Sequence, residues 1–595
     1  MLVMCNLVHS EFMQWTKEAC WIAIFYSFVD SDTNTVINCL FFILFYECNK
    51  DINLEMGESL KQTGTGIHLF RNDLRLHDMP SLSTILEVCS TLYPVYIFED
   101  DDIQTQKIGY NRMRFILDAL KDIDDKLHKV NGRLYVFQGK GIAILSDLFK
   151  RWNVTHLSYE CDVQPVWVET ENNIKQICAE SNIEIIKKVS HTLWDTEAIV
   201  KANGGSPPVT YSIFNHVIGV LGLPEKPQSE VNFNEVIIPD DEKLDSKLLA
   251  KPEEFGINME CAEQINKIWI GGEIRALEHL EERLKIEKIA FSSGYFMPNQ
   301  INPDLLGPPM SMSAALSNGC LSVRRFYWSL SDLYKSVNSD SCLPDGLLPD
   351  GLMGQLIWRE YFYAMCMNNA HYSSMLDNPI CLNIPWATNP SMLECWTDGK
   401  TGFPFIDAAM RQLRQEGWIH HVARNAVACF LTRGDLWISW EEGLKVFMKY
   451  LIDGDAPVCA GNWMWVSSSA FENVLQCPSC ISPILYGRRF EPSGKYIRKY
   501  VPELKNMPHQ FLFEPWLAPL SVQEVANCII GKDYPFPIVN HQQASKRNAD
   551  MMTAIKESFL PKSVPLHCAP SNSAETRVFM WLPEKCVENL LTCDN

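Results

Sequence analysis

The chain changes its hydrophobic rhythm at Gly66 and again near residue 261. From Gly66, short apolar runs alternate with amphipathic stretches. The runs are Ile67–Phe70, Tyr93–Phe98, Leu134–Phe137, His156–Tyr159 and Ile183–Ile186. Continuous apolar runs of this length predict buried strands. Between them Met113, Ile116, Leu117, Leu120, Ile123 and Leu127 recur at helical spacing, so one helix face is apolar. Asn131-Gly132 stops that helix. Strands alternating with helices predict a parallel sheet covered on both faces. This α/β layer occupies residues 64–195.

Residues 196–260 carry Gly204-Gly205, Pro207-Pro208, Leu223-Pro224 and an acidic run. They read as an inter-domain connector with short helices. From 261 to 540 strand signals nearly vanish, and tryptophan-rich helical stretches between Pro/Gly loops predict an all-α domain. Residues 541–595 open with a helix around Ala544–Ile555. A Pro-rich break and the apolar segment Val578–Leu582 follow. No internal repeat is present. Residues 1–63 form an N-terminal extension without a clear signal-peptide layout and without an assigned role.

Composition narrows the classes. Hydrophobic residues at 47% and charged residues at 21% indicate a globular protein rather than a disordered or fibrous one. The net charge is -20. Sequence-independent DNA binding rests on cationic side chains, so this balance argues for weak or no nucleic-acid binding. A basic stretch (Arg488, Arg489, Lys495, Arg498, Lys499, Lys505) reads as a solvated loop. No segment reaches the ~18 apolar residues of a spanning helix. The 21 cysteines are scattered. Their one CxxC, Cys477 and Cys480, lacks the second pair of a zinc site, so buried thiols and no metal are expected.

The densest chemistry lies between Gln412 and Trp465. It gathers His420-His421, Arg424, Trp437, Trp440, Asp453, Asp455, Cys459, Trp463 and Trp465. Arg424 and Asp453 have the charges for a buried ion pair, which is seldom kept for stability alone. The composition is that of a pocket for a large, aromatic, polar ligand.

Four segments then resemble the cryptochrome/photolyase family. Gly66–Asp78 (GIHLFRNDLRLHD) resembles its opening strand motif, and Gly354–Phe362, Thr401–Pro404 and Trp418–Arg424 its flavin-domain motifs. The likeness runs from Gly66 to the C-terminus. Cys459–Phe471 is similar to the insect, Drosophila-type light-sensing members. The resemblance implies a Rossmann-like N-terminal photolyase domain, a helical FAD-binding domain and a C-terminal tail helix.

It also implies FAD as cofactor, without covalent linkage. Arg283, Ser311 and Ser313 would hold its phosphates. Both serines precede Ala314, where a helix N-terminus would favour an anion. Gln355, His421, Arg424, Asp453 and Asp455 map to the flavin surroundings. Cys459 falls opposite flavin N5, where photolyases carry Asn and plant cryptochromes Asp. A neutral thiol is a poor proton donor, so one-electron reduction is expected to stop at the anionic semiquinone. Trp463, Trp440 and Trp386 fall on the electron-transfer triad. Trp437, three residues before Trp440, is expected on the same helix face as a fourth member.

By the same resemblance the chain is a photoreceptor, not an enzyme, and has no catalytic residue. Repair of (6-4) photoproducts uses two histidines four residues apart. His421 fills the first place and Asn425 the second, which removes the acid–base partner. A tail triplet, Phe579, Met580 and Trp581, would plug the groove where photolyases admit a flipped base, with Trp358 lining it. Blue light would reduce the flavin, favour protonation of His421 and release the tail. Inverting a 1:99 equilibrium takes roughly 5.5 kcal/mol. One pKa unit gives about 1.4, so His421 alone would need about four units.

Implied partners are the timeless clock protein, period as a further candidate, and ubiquitin-ligase components, in cytoplasm and nucleus. The alternatives are a (6-4)-type DNA photolyase and a light-independent transcriptional repressor of the clock. One departure stands beside the flavin motif: Ala456-Pro457 replaces the usual Trp-Ser, which puts FAD affinity in question.

Overall fold

The computed structural model describes residues 64–100, 107–240, 250–260, 268–293, 304–307, 310–338, 351–471 and 480–559. The N-terminal extension, Cys477 and the triplet Phe579, Met580 and Trp581 lie outside them.

Five strands form one sheet: β1 Gly64–Phe70, β2 Cys89–Glu99, β3 Tyr135–Gly139, β4 His156–Glu160 and β5 Glu184–Lys188. The order is β3-β2-β1-β4-β5 and every pairing is parallel. Helices α1 (Pro80–Val88), α2 (Tyr110–His128), α3 (Gly141–Arg151) and α4 (Pro165–Ser181) make the crossovers. Period-two alternation splits β1 between two cores. Ile67 and Leu69 pack with Leu145, Leu148 and Phe149 of α3 and Ile174 of α4. Phe70 joins the larger core with Met113, Leu120 and Ile123 of α2. All six periodic apolar residues of α2 are buried. The helix closes where the Gly132 amide donates to the Leu127 carbonyl at 3.0 Å, with Asn131 at φ 57°.

The connector is not a loose spacer. Its helices α5 (Thr196–Ala202) and α6 (Tyr211–Leu221) are capped by Asp195 and Thr210. They bury Ile199, Phe214, Val217 and Ile218 in the main core.

The helical half comprises α7 (Glu273–Ser292), α8 (Ser313–Ser317), α9 (Val323–Val337), α10 (Leu352–Cys366), α11 (Pro390–Thr397), α12 (Pro404–Glu416) and α13 (His421–Cys429). It continues with α14 (Trp440–Tyr450), α15 (Ala456–Val466), α16 (Pro483–Phe490), α17 (Lys495–Tyr500), α18 (Leu520–Val525) and α19 (His541–Phe559). Among its described residues only isolated bridges occur, such as Ala387 with Ile438. Buried polar ties lock the halves together. Glu273 accepts from the Leu76 and His77 amides at 3.0 and 2.9 Å. Arg324 pairs with Asp78 at 2.7 Å, and the Leu193 amide donates to Glu360 at 2.6 Å.

Helix α19 docks on the domain. Met552 packs with Leu382, Ile384 and Trp437, the Asn548 amide donates to the Gly434 carbonyl at 3.0 Å, and His541 Nδ1 lies 2.8 Å from Asp435. No helix among the described residues is long and apolar enough to cross a membrane.

Candidate functional site

The site forms where the loop before α15 meets α8 and α13. Asp455 caps α15, its Oδ1 accepting from the Val458 amide at 3.1 Å. Pro457 sits in the first turn, where a missing N–H is harmless and a fixed φ suits the helix. The departure Ala456-Pro457 is therefore compatible with this local fold. One turn in, Cys459 is buried at 8% exposure. Burial, helped by Asp453, pushes its thiol up to about 12, so it is neutral across the physiological range.

Asp453 Oδ2 is shared by the Arg424 guanidinium at 2.8 Å and the Ser313 hydroxyl at 2.6 Å. Ser311 lies 2.9 Å from Ser313, hydroxyl to hydroxyl. Asp453 Oδ1 is buried with no hydrogen-bond partner among the described residues. An acceptor left open beside a satisfied pair is a place for a ligand donor, because burial without one is costly. The sequence-predicted ion pair is thus present, with Asp453 buried and Arg424 partly exposed.

The expected serine caps are different in detail. Met312 occupies the cap position of α8, which spans only Ser313–Ser317. The Ser311 hydroxyl accepts from the Ser313 amide at 3.2 Å, and the Ser313 hydroxyl is turned to Asp453. The carboxylate outcompetes the helix end for that hydroxyl because a charged acceptor makes the stronger bond.

His421 begins α13. Burial, with His420 and Arg424 beside it, holds it well below the ordinary histidine range. His420 is the cap of α13, its ring accepting from the Val422 amide at 3.3 Å. Arg283, on α7, donates to Glu287 four residues on at 2.5 Å, and its Nε is buried without a partner among the described residues. Gln355 is exposed on α10.

Trp440 and Trp463 are buried, on α14 and α15. Trp437 is not on the helix face expected for it. A π-helical turn, Phe430–Gly434, ends the preceding helix, and Trp437 has φ 57°, upstream of the Ser439 cap of α14. Its ring packs against Trp386 at 4.8 Å between centroids instead. The ring neighbours of Trp463 include Phe447 at 4.9 Å and Trp396 at 6.2 Å. Trp396 was not singled out from the sequence. The indole N–H groups of Trp463, Trp440 and Trp386 are buried without hydrogen-bond partners among the described residues.

Trp358 is covered by Tyr211 of α6, stacked at 3.8 Å. The basic stretch is partly neutralised: Arg488 pairs with Glu514 at 2.8 Å and Lys499 with Glu416 at 3.2 Å. No cluster of His, Cys, Asp or Glu among the described residues is arranged to hold a metal ion.

Comparison with known proteins places this geometry. Residues 66–228 match the family described as DNA photolyase, and residues 352–554 the FAD binding domain of DNA photolyase. The chain is 47% identical to Cryptochrome-1 of Aedes aegypti over 88% of its length and 99% of the relative's. It belongs to the cryptochrome/photolyase family. Cryptochrome-1 of Drosophila melanogaster is 46% identical over the same shares. The mouse protein of that name is 43% identical over 83% of this chain and 80% of its own. Among solved structures, a bacterial class III photolyase from Agrobacterium tumefaciens superposes with a TM-score of 0.68 at 25% identity. It covers 84% of this chain and 99% of its own.

The fold class read from the sequence stands, and so does FAD as the cofactor of the matched domain. That match runs to residue 554, well into α19. Sequence reasoning missed a second polar assembly beside the site. Tyr363 and His191, 172 residues apart, meet at 2.7 Å, and Tyr363 reaches Asp455 at 2.6 Å. No local motif marks either residue.

Proposed function

We propose that this cryptochrome is a blue-light receptor whose flavin is reduced through tryptophans to the anionic semiquinone. The observation that carries this reading is the buried, neutral thiol of Cys459, one turn into α15 beside the Arg424–Asp453 pair. With its thiol held near 12, Cys459 does not readily give up a proton to an adjacent flavin. The cradle residues would be Ser311, Ser313, Arg424 and Asp453, with Asp453 Oδ1 free to accept from the ligand. Arg283 and Gln355 would join from α7 and α10, Arg283 exchanging Glu287 for a phosphate oxygen. His421 and Asp455 would border the same ligand. FAD supplies light absorption and one-electron chemistry when bound.

Trp386, Trp440 and Trp463 would carry the electron inward in that order, with Trp437 extending the chain beyond Trp386. Because the N–H groups of Trp463, Trp440 and Trp386 meet no base among the described residues, oxidised indoles there would keep their protons. His421 starts neutral. A new negative charge nearby must first lift its pKa to the ambient pH before protonation contributes anything. The four-unit requirement is therefore a lower bound, and rearrangement of the Arg424–Asp453 pair would supply part of the signal. Signalling would pass to the timeless protein, with period and ubiquitin-ligase components as further partners, in cytoplasm and nucleus. Asn425 at the second histidine place and a net charge of -20 weigh against lesion repair.

The test is an absorption spectrum of the purified chain under blue light without added reductant, with a repair assay alongside. An anionic flavin radical without repair supports the receptor. A neutral radical that proceeds to full reduction, with lesion repair, makes the protein a photolyase. Absence of bound flavin favours the light-independent repressor.

A further inference from the structure

Tyr363 lies on α10, with its hydroxyl 2.6 Å from Asp455 Oδ2 and 2.7 Å from His191 Nε2. All three residues are buried. Arg359 covers the Tyr363 ring at 4.5 Å and donates to the His191 carbonyl at 2.9 Å. The other ring nitrogen of His191 faces the Asn72 backbone, an acceptor that favours a ring N–H there. The ring therefore donates there through Nδ1.

Counting hydrogens decides the arrangement. The tyrosine has one hydroxyl hydrogen and two close polar neighbours. A neutral His191 that spends its hydrogen on Asn72 has a bare Nε2, which must accept from Tyr363. The Tyr363 oxygen then faces Asp455 Oδ2 with lone pairs, and that contact needs a hydrogen from the carboxyl. If Asp455 ionised, Tyr363 would turn to it, and the bare Nε2 would meet a tyrosine lone pair at 2.7 Å. One buried bond would be lost.

We infer that Asp455, Tyr363 and His191 form a directed hydrogen-bond chain that holds Asp455 as a neutral carboxylic acid, with Tyr363 and His191 as its positioning residues. The chain runs from the N-terminus of α15 to Asn72, just past the end of β1. Each member donates to the next: Asp455 to Tyr363, Tyr363 to His191, His191 to Asn72.

The alternative location of the extra hydrogen is His191 as a cation. Arg359, Arg75 and Arg71 face that ring and oppose it, and burial holds it well below the ordinary histidine range. Asp455 faces Arg359 and Arg112, which favour its anion. Burial outweighs them and pushes its carboxyl up, and the Asp162 carboxylate also interacts unfavourably with a charged Asp455. Cys366, Cys459 and Tyr372 also interact with it, but burial keeps each of them neutral. A neutral Asp455 leaves Asp453, compensated by Arg424, as the charged member of the two site aspartates. On the receptor reading, which this consequence rests on, such a site accepts an added electron with less repulsion than one holding two carboxylates.

The test is infrared spectroscopy of the full flavin-bound chain in the dark. The difference between wild type and Asp455→Asn at neutral pH is expected to contain a carboxylic-acid C=O band. Asn caps helices as well as Asp, so the variant should fold. In His191→Phe nothing takes the Tyr363 hydrogen, Tyr363 donates to Asp455, and the band is expected to titrate about one unit lower, tenfold in the ionisation equilibrium. Absence of the band at neutral pH overturns the inference, as does a titration unmoved in His191→Phe. If that variant does not fold, the Asp455→Asn difference alone still decides the protonation state. A band present in a protein whose flavin stays oxidised under light would instead sink the receptor reading and leave the chain standing.

Discussion

Arg424 Nη2 lies 2.8 Å from Asp453 Oδ2, and the Asp453 side chain is only 3% exposed. Its other compensating contact is the Ser313 hydroxyl. Replacing Arg424 by Met leaves a buried carboxylate without its cation. Breaking such a pair costs roughly 3 kcal/mol, the lower end of its range because Arg424 keeps some solvent. Asp453→Asn should cost less, since the stranded guanidinium can reach water. Urea midpoints at unchanged slope check both, and retention of flavin through gel filtration should fall in each.

The sheet was legible because each strand contains apolar residues from a run between turns, even β5, where only Ile185 and Ile186 are apolar, and the helical half because its periodicity is unbroken by strand signals. The errors have local causes. Spacing alone puts Trp437 and Trp440 on one face, which presumes a helix. The π-helical turn at Phe430–Gly434 and the positive φ of Trp437 redirect the chain there. The serine caps were read without the competing Asp453 carboxylate, distant in sequence by 140 residues. Tyr363 and His191 look like ordinary core residues until the fold sets them side by side.

His68 is wholly buried in β1, 2.8 Å from the Ser158 hydroxyl. Burial and the nearby Arg71 and Arg75 lower its pKa to about 3. The unfolded chain takes up the proton near 6.5 and the folded one does not. Its contribution is therefore intact above about 6.5 and is lost as pH falls toward 3. At pH 5 the loss is about 2 kcal/mol. His68→Asn should flatten the fall in urea midpoint between pH 7 and 5; an unchanged slope would mean His68 is charged when folded.

The docking of α19 depends on few contacts. His541 meets the fully buried Asp435 at 2.8 Å, and Met552 fills the cluster around Trp437. His541→Ala strands that carboxylate, and Met552→Ala leaves a cavity worth roughly 2–4 kcal/mol. Both should raise amide hydrogen exchange in 541–559 while exchange in the sheet stays unchanged. A uniform rise throughout the chain would instead mean that α19 opens only with global unfolding.

Cys459 separates two explanations for a flavin that would take up an electron without a proton. The thiol is either an unwilling donor or a plug that keeps water out. Cys459→Asp introduces a carboxyl that burial and Asp453 should push up, as burial and a neighbouring carboxylate raise Asp73 to about 6. Below its pKa that group carries a proton it can give, and above it none. Illuminated Cys459→Asp is thus expected to form the neutral flavin radical in mildly acidic buffer and the anionic one in alkaline buffer. Cys459→Ala removes the thiol and opens space. An anionic radical there means that withholding a proton needs no sulfur, only the absence of a donor. A neutral radical in Cys459→Ala assigns the effect to water exclusion, and a neutral radical in the wild type sinks the assignment of Cys459 altogether.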